Sequence, residues 1–263
     1  MNEHLTKQVD VCDDFSPFFE EESLPESIVH AELIWYLVAV LRWLLRGELC
    51  AICENFAFLP PLEDPGSPVA PDIAVIKGVA LRPLSSWRIG TTGPAPQVVF
   101  EILSPETWKK DLEEKPDLYA RLGVQEYFAY DPTPAPLAQA TTQRLFGWRA
   151  DPLLPAMTAL VPNEDGSLWS EQLASFLLAD GQLLRLLDRH RRLRLTEAEA
   201  RTQQVEIEAA ARRAEARARR AEAAARQAAE RRAKALAEKL RSLGVDPDQP
   251  RTTSQVASGR MEG

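Results

Sequence analysis

Four charged residues near the middle of the chain have the types and spacing for chemistry on a phosphodiester. Asp72 follows Pro71 at the entrance to an apolar run. Glu101 is the single charge in Val98-Val99-Phe100-Glu101-Ile102-Leu103, and Asp111 and Lys115 follow it at i, i+4. Phosphodiester hydrolysis needs a water made nucleophilic and a developing negative charge neutralised, and a divalent metal held by carboxylates does both. Mg²⁺ takes few protein carboxylates and keeps several waters, so two carboxylates suffice for it. A carboxylate within an apolar strand is costly unless it lies at the strand end or holds a cation. Asp72 and Glu101 both meet that description. The same residues admit a plainer reading, in which each carboxylate caps a turn or pairs with an arginine and Lys115 is a solvated partner of Asp111.

The elements that must position these residues can be read from periodicity and punctuation. Residues 1–27 are acidic and loop-like. Ser27 is a candidate N-cap for a helix from about Ile28 to Arg46, with Leu33, Leu37, Leu41 and Leu44 on one face and Gly47 as a stop. Leu49 to Leu59 reads as a strand, and Pro60 to Pro68 as a loop. Ala70 to Ile76 and Gln97 to Leu103 are β-branched apolar runs of the kind that form buried strands. A helix is predicted from Glu106 to Leu122, closed by Gly123, then a strand over Tyr127 to Tyr130 stopped by Asp131-Pro132. Pro116 interrupts that helix. Either the helix kinks there or it starts at Pro116, a favoured first position. Strand, strand, helix, strand is an α/β pattern. Asp165-Gly166 and Asp180-Gly181 are hairpin signals within a small antiparallel extension reaching about Leu195.

From Thr196 to Leu243 the chain is Ala, Glu and Arg with hardly a breaker, opening on a Thr196-x-x-Glu199 capping box. Ile207, Ala211, Ala214, Ala218, Ala221 and Ala225 alternate steps of four and three, and Ala229, Ala233, Leu236, Leu240 and Leu243 resume after extra steps of four. That is a heptad seam with a stutter, which predicts a coiled coil; a solvated single helix is the alternative. Residues 244–263 are expected to be disordered. The domains are therefore 1–27, 28–195, 196–243 and 244–263.

Composition excludes several other functions. The 263 residues carry a net charge of −8. Residues 1–184 hold 12 Lys+Arg against 27 Asp+Glu, a net −15, whereas residues 185–243 hold 17 against 9, a net +8. An acidic body is poor for nonspecific DNA binding, which needs clustered Lys and Arg. The most apolar stretch, Leu33 to Leu41, is far shorter than the ~20 residues of a membrane span. With no signal peptide visible, a cytoplasmic protein is expected. Cys50 and Cys53 form a lone CxxC with no second pair to complete a zinc site, and read as small apolar residues of a strand. His4, His30 and His190 lack metal-ligand spacing, and there is no phosphate-binding P-loop or nucleophile elbow.

Residues 71–132 resemble the PD-(D/E)xK nuclease superfamily and, more narrowly, the Uma-two family, a large group classed with restriction endonucleases. The resemblance rests on Pro71-Asp72, Glu101-Ile102-Leu103-Ser104-Pro105, Asp111, Lys115, Tyr119, Gly123-Val124, Glu126-Tyr127 and Asp131-Pro132. It continues weakly through Gly166 to Ser170, the Asp180-Gly181 hairpin and the tail ending Leu240 to Asp248. It implies a restriction-endonuclease-like core, a mixed sheet flanked by helices, with the antiparallel extension and long C-terminal helix appended. It implies Mg²⁺ or Mn²⁺ held by Asp72, Glu101 and the backbone carbonyl of Ile102. The superfamily's lysine usually lies two residues after the glutamate, where this chain has Leu103. Lys115 matches a lysine migrated to the next helix. The first helix offers His30 and Glu32, and Glu32, with Asp111, is a candidate to support the site from behind. The resemblance makes DNA the expected substrate, a second copy of the chain an expected partner, and the chain an endonuclease. The alternative is a nuclease-like interaction protein without activity that oligomerises through its C-terminal helix.

Overall fold

The structure is a computed structural model that describes residues 28–64, 66–80, 82–133, 137, 141–151, 156–244 and 246. The expectations for residues 1–27, and those for the tail at 245 and 247–263, fall outside them. The described chain forms two units, one ending at Ala198 and one starting at Glu199.

The first unit opens with helix α1 (Ile28–Leu44). Strands β1 (Cys50–Glu54), β2 (Phe58–Leu59), β3 (Ile73–Lys77), β4 (Trp87–Arg88) and β5 (Val98–Ile102) follow. Two short helices, α2 (Trp108–Glu113) and α3 (Lys115–Arg121), lead to β6 (Glu126–Tyr130). Strands β7 (Leu145–Ala150), β8 (Met157–Ala159), β9 (Leu168–Ser170), β10 (Ser175–Asp180) and β11 (Leu183–Leu187) complete it. Six strands make one mixed sheet in the order β1-β3-β5-β6-β7-β8. Only β5 and β6 run parallel, joined by the α2–α3 crossover, while the other neighbours are antiparallel. Strands β11-β10-β9 form the antiparallel extension, and β2 pairs with β4 in a small parallel sheet.

Each face of the main sheet buries its own core. On one face α1 lays Leu33, Leu37 and Leu41 against Ile73, Val75, Phe100 and Phe128, with Leu177 and Leu184 of the extension closing the layer. On the other face Ala74, Val99, Tyr127 and Ala129 pack with Tyr119 of α3 and with Trp87. Strands alternate side chains between faces, so Asp72 and Glu101 share the second face with Ala74 and Val99.

Two expected elements divide. Leu49 to Leu59 is not one strand, because Asn55 at φ 46° turns the backbone into the left-handed region between β1 and β2. The single helix predicted from Glu106 to Leu122 is two, because Pro116 has no N–H to donate to Leu112 and its ring crowds that carbonyl. Gly123, at φ 80°, ends α3 as expected. The Asp180-Gly181 signal is a hairpin, with Asp180 opposite Leu183 across a two-residue loop and Gly181 at φ 62°. Asp165-Gly166 is a turn between β8 and β9, but those strands pair with β7 and β10 and not with each other.

The second unit is dominated by α4 (Glu197–Ser242), 46 residues with no buried side chain. At 1.5 Å per residue it is roughly 70 Å long. Ion pairs at i, i+4 line it, including Glu215–Arg219 at 2.6 Å and Arg226–Glu230 at 3.2 Å. Among the described residues no helix is long and apolar enough to cross a membrane.

Candidate active site

Asp72 stands at the residue before β3, where Pro71 can sit because the strand's ladder has not begun. The β3–β5 register pairs Ile73 with Phe100, so the next position out sets Asp72 opposite Glu101. The two carboxylates are neighbours across an antiparallel pair, on the face that α3 covers. Asp72 Oδ2 accepts the backbone N–H of Ile102 at 2.6 Å, a charge-assisted bond that fixes the carboxylate's direction. Its Oδ1 faces His30 Nε2 of α1 at 3.3 Å.

Glu101 is 4% exposed. Its Oε1 receives two donors from α3, Lys115 Nζ at 2.7 Å and the hydroxyl of Tyr119. Among the described residues no donor is bonded to Oε2. Lys115 Nζ also lies 2.7 Å from Asp111 Oδ1. Asp111, on α2, is held in turn by Thr107 Oγ1 at 2.7 Å, and its backbone carbonyl accepts the Tyr127 hydroxyl at 2.9 Å.

The electrostatics follow from burial. Two carboxylates, Glu101 and Asp111, flank one ammonium, and Asp72 stands beside Glu101. Burial pushes Glu101 up to about 7, with Asp72 and Asp111 adding to the rise and Lys115 opposing it. Burial pulls the Lys115 ammonium down, but Glu101 and Asp111 outweigh it, so Lys115 titrates above its ordinary value and stays charged. The hydroxyls of Tyr119 and Tyr127 are raised well above theirs, first by burial and then by Glu101, and remain protonated donors.

This cluster is deficient in positive charge, and a cation would relieve it. Among the described residues no three His, Cys, Asp or Glu side chains form a group fit to cage a metal ion. Two opposed carboxylates, one with a free oxygen, fit an ion that keeps most of its water, as Mg²⁺ does. Asp72 and Glu101 are the residues that would hold it.

The fold therefore brings together Asp72, Glu101, Asp111 and Lys115. Glu32 is exposed on α1, and it is His30, two residues earlier, that meets Asp72. Ile102 touches the site through its N–H. Two participants were not singled out by spacing. Tyr119 reads from sequence as a core aromatic, and His30, which has no ligand spacing, enters only through its place on the first helix, because both contacts join elements far apart in the chain. A cavity of about 520 Å³ lined by Arg42, Phe56, Arg82, Leu84 and Trp87 lies elsewhere and includes none of the cluster.

Residues 20–162 match the Uma2 family, described as "Putative restriction endonuclease", and the chain belongs to that family. A solved structure of a "putative nuclease belonging to DUF820 from Anabaena variabilis ATCC 29413" is similar at 17% identity and a TM-score of 0.40, over 57% of this chain and 76% of that one. No curated protein matches the chain.

Proposed function

We propose that this member of the Uma2 family hydrolyses phosphodiester bonds of DNA as a Mg²⁺- or Mn²⁺-dependent endonuclease. The observation that carries the reading is Lys115 Nζ at 2.7 Å from Glu101 Oε1, beside Asp72 at the next register position. A lysine and two opposed carboxylates are the parts such a reaction needs.

The residues divide the work as follows. Asp72, Glu101 and the Ile102 carbonyl would hold the ion, which when bound supplies neutralisation of phosphate charge and a more acidic water. Ile102 N–H and His30 keep Asp72 aimed at the site. Tyr119 and Lys115 occupy Oε1 of Glu101 and leave Oε2 for the cation. Lys115, charged throughout the physiological range, supports the carboxylates at rest and is placed to take a non-bridging phosphate oxygen when substrate arrives. Asp111 and Thr107 hold Lys115 from behind. In the reaction, water oxygen bonds to phosphorus and gives up a proton to solvent, the bond to the departing sugar oxygen breaks, and that oxygen takes up a proton. Leu103, standing where the superfamily's lysine usually stands, is 2% exposed and belongs to the core of this face.

The test is cleavage of plasmid DNA with Mg²⁺ or Mn²⁺. Wild-type protein is expected to cut, and Asp72→Ala and Glu101→Ala to lose metal-stimulated cleavage while remaining folded by circular dichroism. Wild-type protein that cuts no nucleic acid and binds neither ion overturns the reading. The acidic body, net −15 over residues 1–184, favours a second reading, a nuclease-like interaction protein assembling through α4; that overturning result, with assembly lost on removal of residues 196–263, would support it.

A further inference from the structure

The cavity of about 520 Å³ holds none of the Asp72–Glu101 cluster, yet it lies beside it. Strand β1 is an edge of the main sheet, next to β3. The β1–β3 register sets Glu54 opposite Ile73, and Asn55, the next residue, donates its N–H to the Asp72 carbonyl at 3.1 Å. Asp72 in turn stands opposite Glu101, one position out from the Ile73–Phe100 pair. Asn55, Asp72 and Glu101 therefore form a row across three neighbouring strands, about 5 Å apart at each step. Glu54 and Phe56, either side of Asn55 in the chain, line the cavity. The row leads from Glu101 to the cavity wall over about 10 Å.

The cavity has an apolar interior and a charged rim. Trp87, 2% exposed, forms its floor. The indole is fixed in place: its Nε1 donates to the Pro94 carbonyl at 3.0 Å, and Gly93 packs so close to the ring that a Cβ there would collide with it. Phe56 is partly buried and meets Phe58 edge-on, with 5.9 Å between ring centroids. Leu84 is 39% exposed, a large apolar side chain left to solvent at the cavity. On the rim Arg42 pairs with Glu54 at 3.0 Å. Arg82 is exposed, and among the described residues it has neither an ion pair nor a hydrogen bond. Two arginines against one glutamate leave one positive charge in excess.

An apolar cavity with a few charged groups at its mouth is the usual form of a small-ligand site, and about 300–1,000 Å³ is the usual size. The chemistry here suits an amphipathic anion, with a flat apolar body against Phe56 and Leu84 and an anionic group at Arg82. A nucleotide has both parts. A base within a duplex is stacked and out of reach, whereas an unpaired base stacks on aromatic side chains. A strand with its scissile phosphate at the Asp72–Glu101 pair has a neighbouring nucleotide within reach of the cavity along the row. We infer that the cavity takes one unstacked nucleotide of that strand, which makes single-stranded or locally unpaired DNA the substrate class. The inference rests on the reaction proposed above for its choice of ligand. Stacking also supplies affinity that an acidic body cannot draw from phosphates.

Binding measured under chelator reads the cavity without the reaction. By fluorescence anisotropy with the full chain, a short oligothymidylate is expected to bind about tenfold tighter than a hairpin duplex with the same number of phosphates. Arg82 and Leu84 are exposed and outside the cluster. Arg82→Glu and Leu84→Asp should each weaken single-strand binding about tenfold and leave Mn²⁺ binding unchanged. An oligonucleotide carrying 4-thiothymidine should photocross-link to the peptides bearing Phe56 or Leu84. Equal affinity for single strand and duplex, single-strand binding indifferent to both substitutions, or a cross-link confined to α4 overturns the inference. The two proposals fail separately. Mn²⁺-dependent cleavage with no single-strand preference removes the subsite and keeps the reaction. Single-strand binding at the cavity by a chain that holds no Mn²⁺ removes the reaction and keeps the subsite.

Discussion

Lys115 reaches Glu101 from a helix that begins at Lys115 itself. The interruption at Pro116, which argues against a straight helix, sets the ammonium between two carboxylates at 2.7 Å each. It is 19% exposed there, so the pairing is not a screened surface contact. Removing one partner of a buried ion pair typically costs about 3–5 kcal/mol. Lys115→Met is expected to lower stability by about that amount, read from urea unfolding, and to abolish cleavage. Glu101 makes a separate prediction. Its carboxyl is raised to about 7 from an ordinary 4.5, so the folded state holds that proton more tightly than the unfolded chain. Its contribution to stability is fully present below about pH 4.5 and is lost as pH rises through about 7. Metal-free protein should therefore lose stability between pH 5 and 8, and Glu101→Gln should flatten that loss. A divalent ion reverses the sign, since binding expels the proton, and its affinity should rise with pH up to about 7.

The elements bearing these residues were legible in the sequence where local rules decide them. The apolar face of α1, the buried strands β3 and β5, the end of α3 at Gly123 and the Asp180-Gly181 hairpin all rest on spacing or turn chemistry. The break between β1 and β2 was not legible, because an asparagine in the left-handed region is permitted in many contexts and required in few. Nor was the part played by His30 and Tyr119, whose partners Asp72 and Glu101 lie 42 and 18 residues away. Local spacing carries no record of which elements the fold sets together. Glu126, at the head of β6, shows how a buried carboxylate can instead be structural. It accepts Arg149 Nε at 3.0 Å, the Ser170 hydroxyl and the backbone N–H of Glu171 at 2.8 Å, tying β6 and β7 to the turn after β9. Glu126→Ala strands the Ser170 and Glu171 donors and leaves Arg149 only Glu171 and the Trp169 carbonyl, and should cost about 1–3 kcal/mol. The protein should retain cleavage at low temperature, because none of these groups touches the Asp72–Glu101 cluster.

At the scale of the whole molecule, charge separates the body from the tail. Residues 1–184 carry −15 and residues 185–243 carry +8. A body of that sign gains little from counterion release, so duplex DNA without divalent ions should bind no more tightly than the nonspecific range of ~10⁻⁴–10⁻⁶ M in physiological salt. Adding Mg²⁺ should tighten it by neutralising the carboxylates that face the phosphate. Fluorescence anisotropy with chelator and then with Mg²⁺ measures both; tight binding under chelator would place the affinity in the arginines of the tail. Everything in the proposed chemistry depends on whether Asp72 and Glu101 hold a cation together. Calorimetric titration with Mn²⁺ at pH 7.5, on wild type and on Asp72→Asn and Glu101→Gln, measures this directly. One ion bound by wild type and none detectable by either variant is the result expected. Equal binding by all three proteins, or none by wild type, would contradict the account.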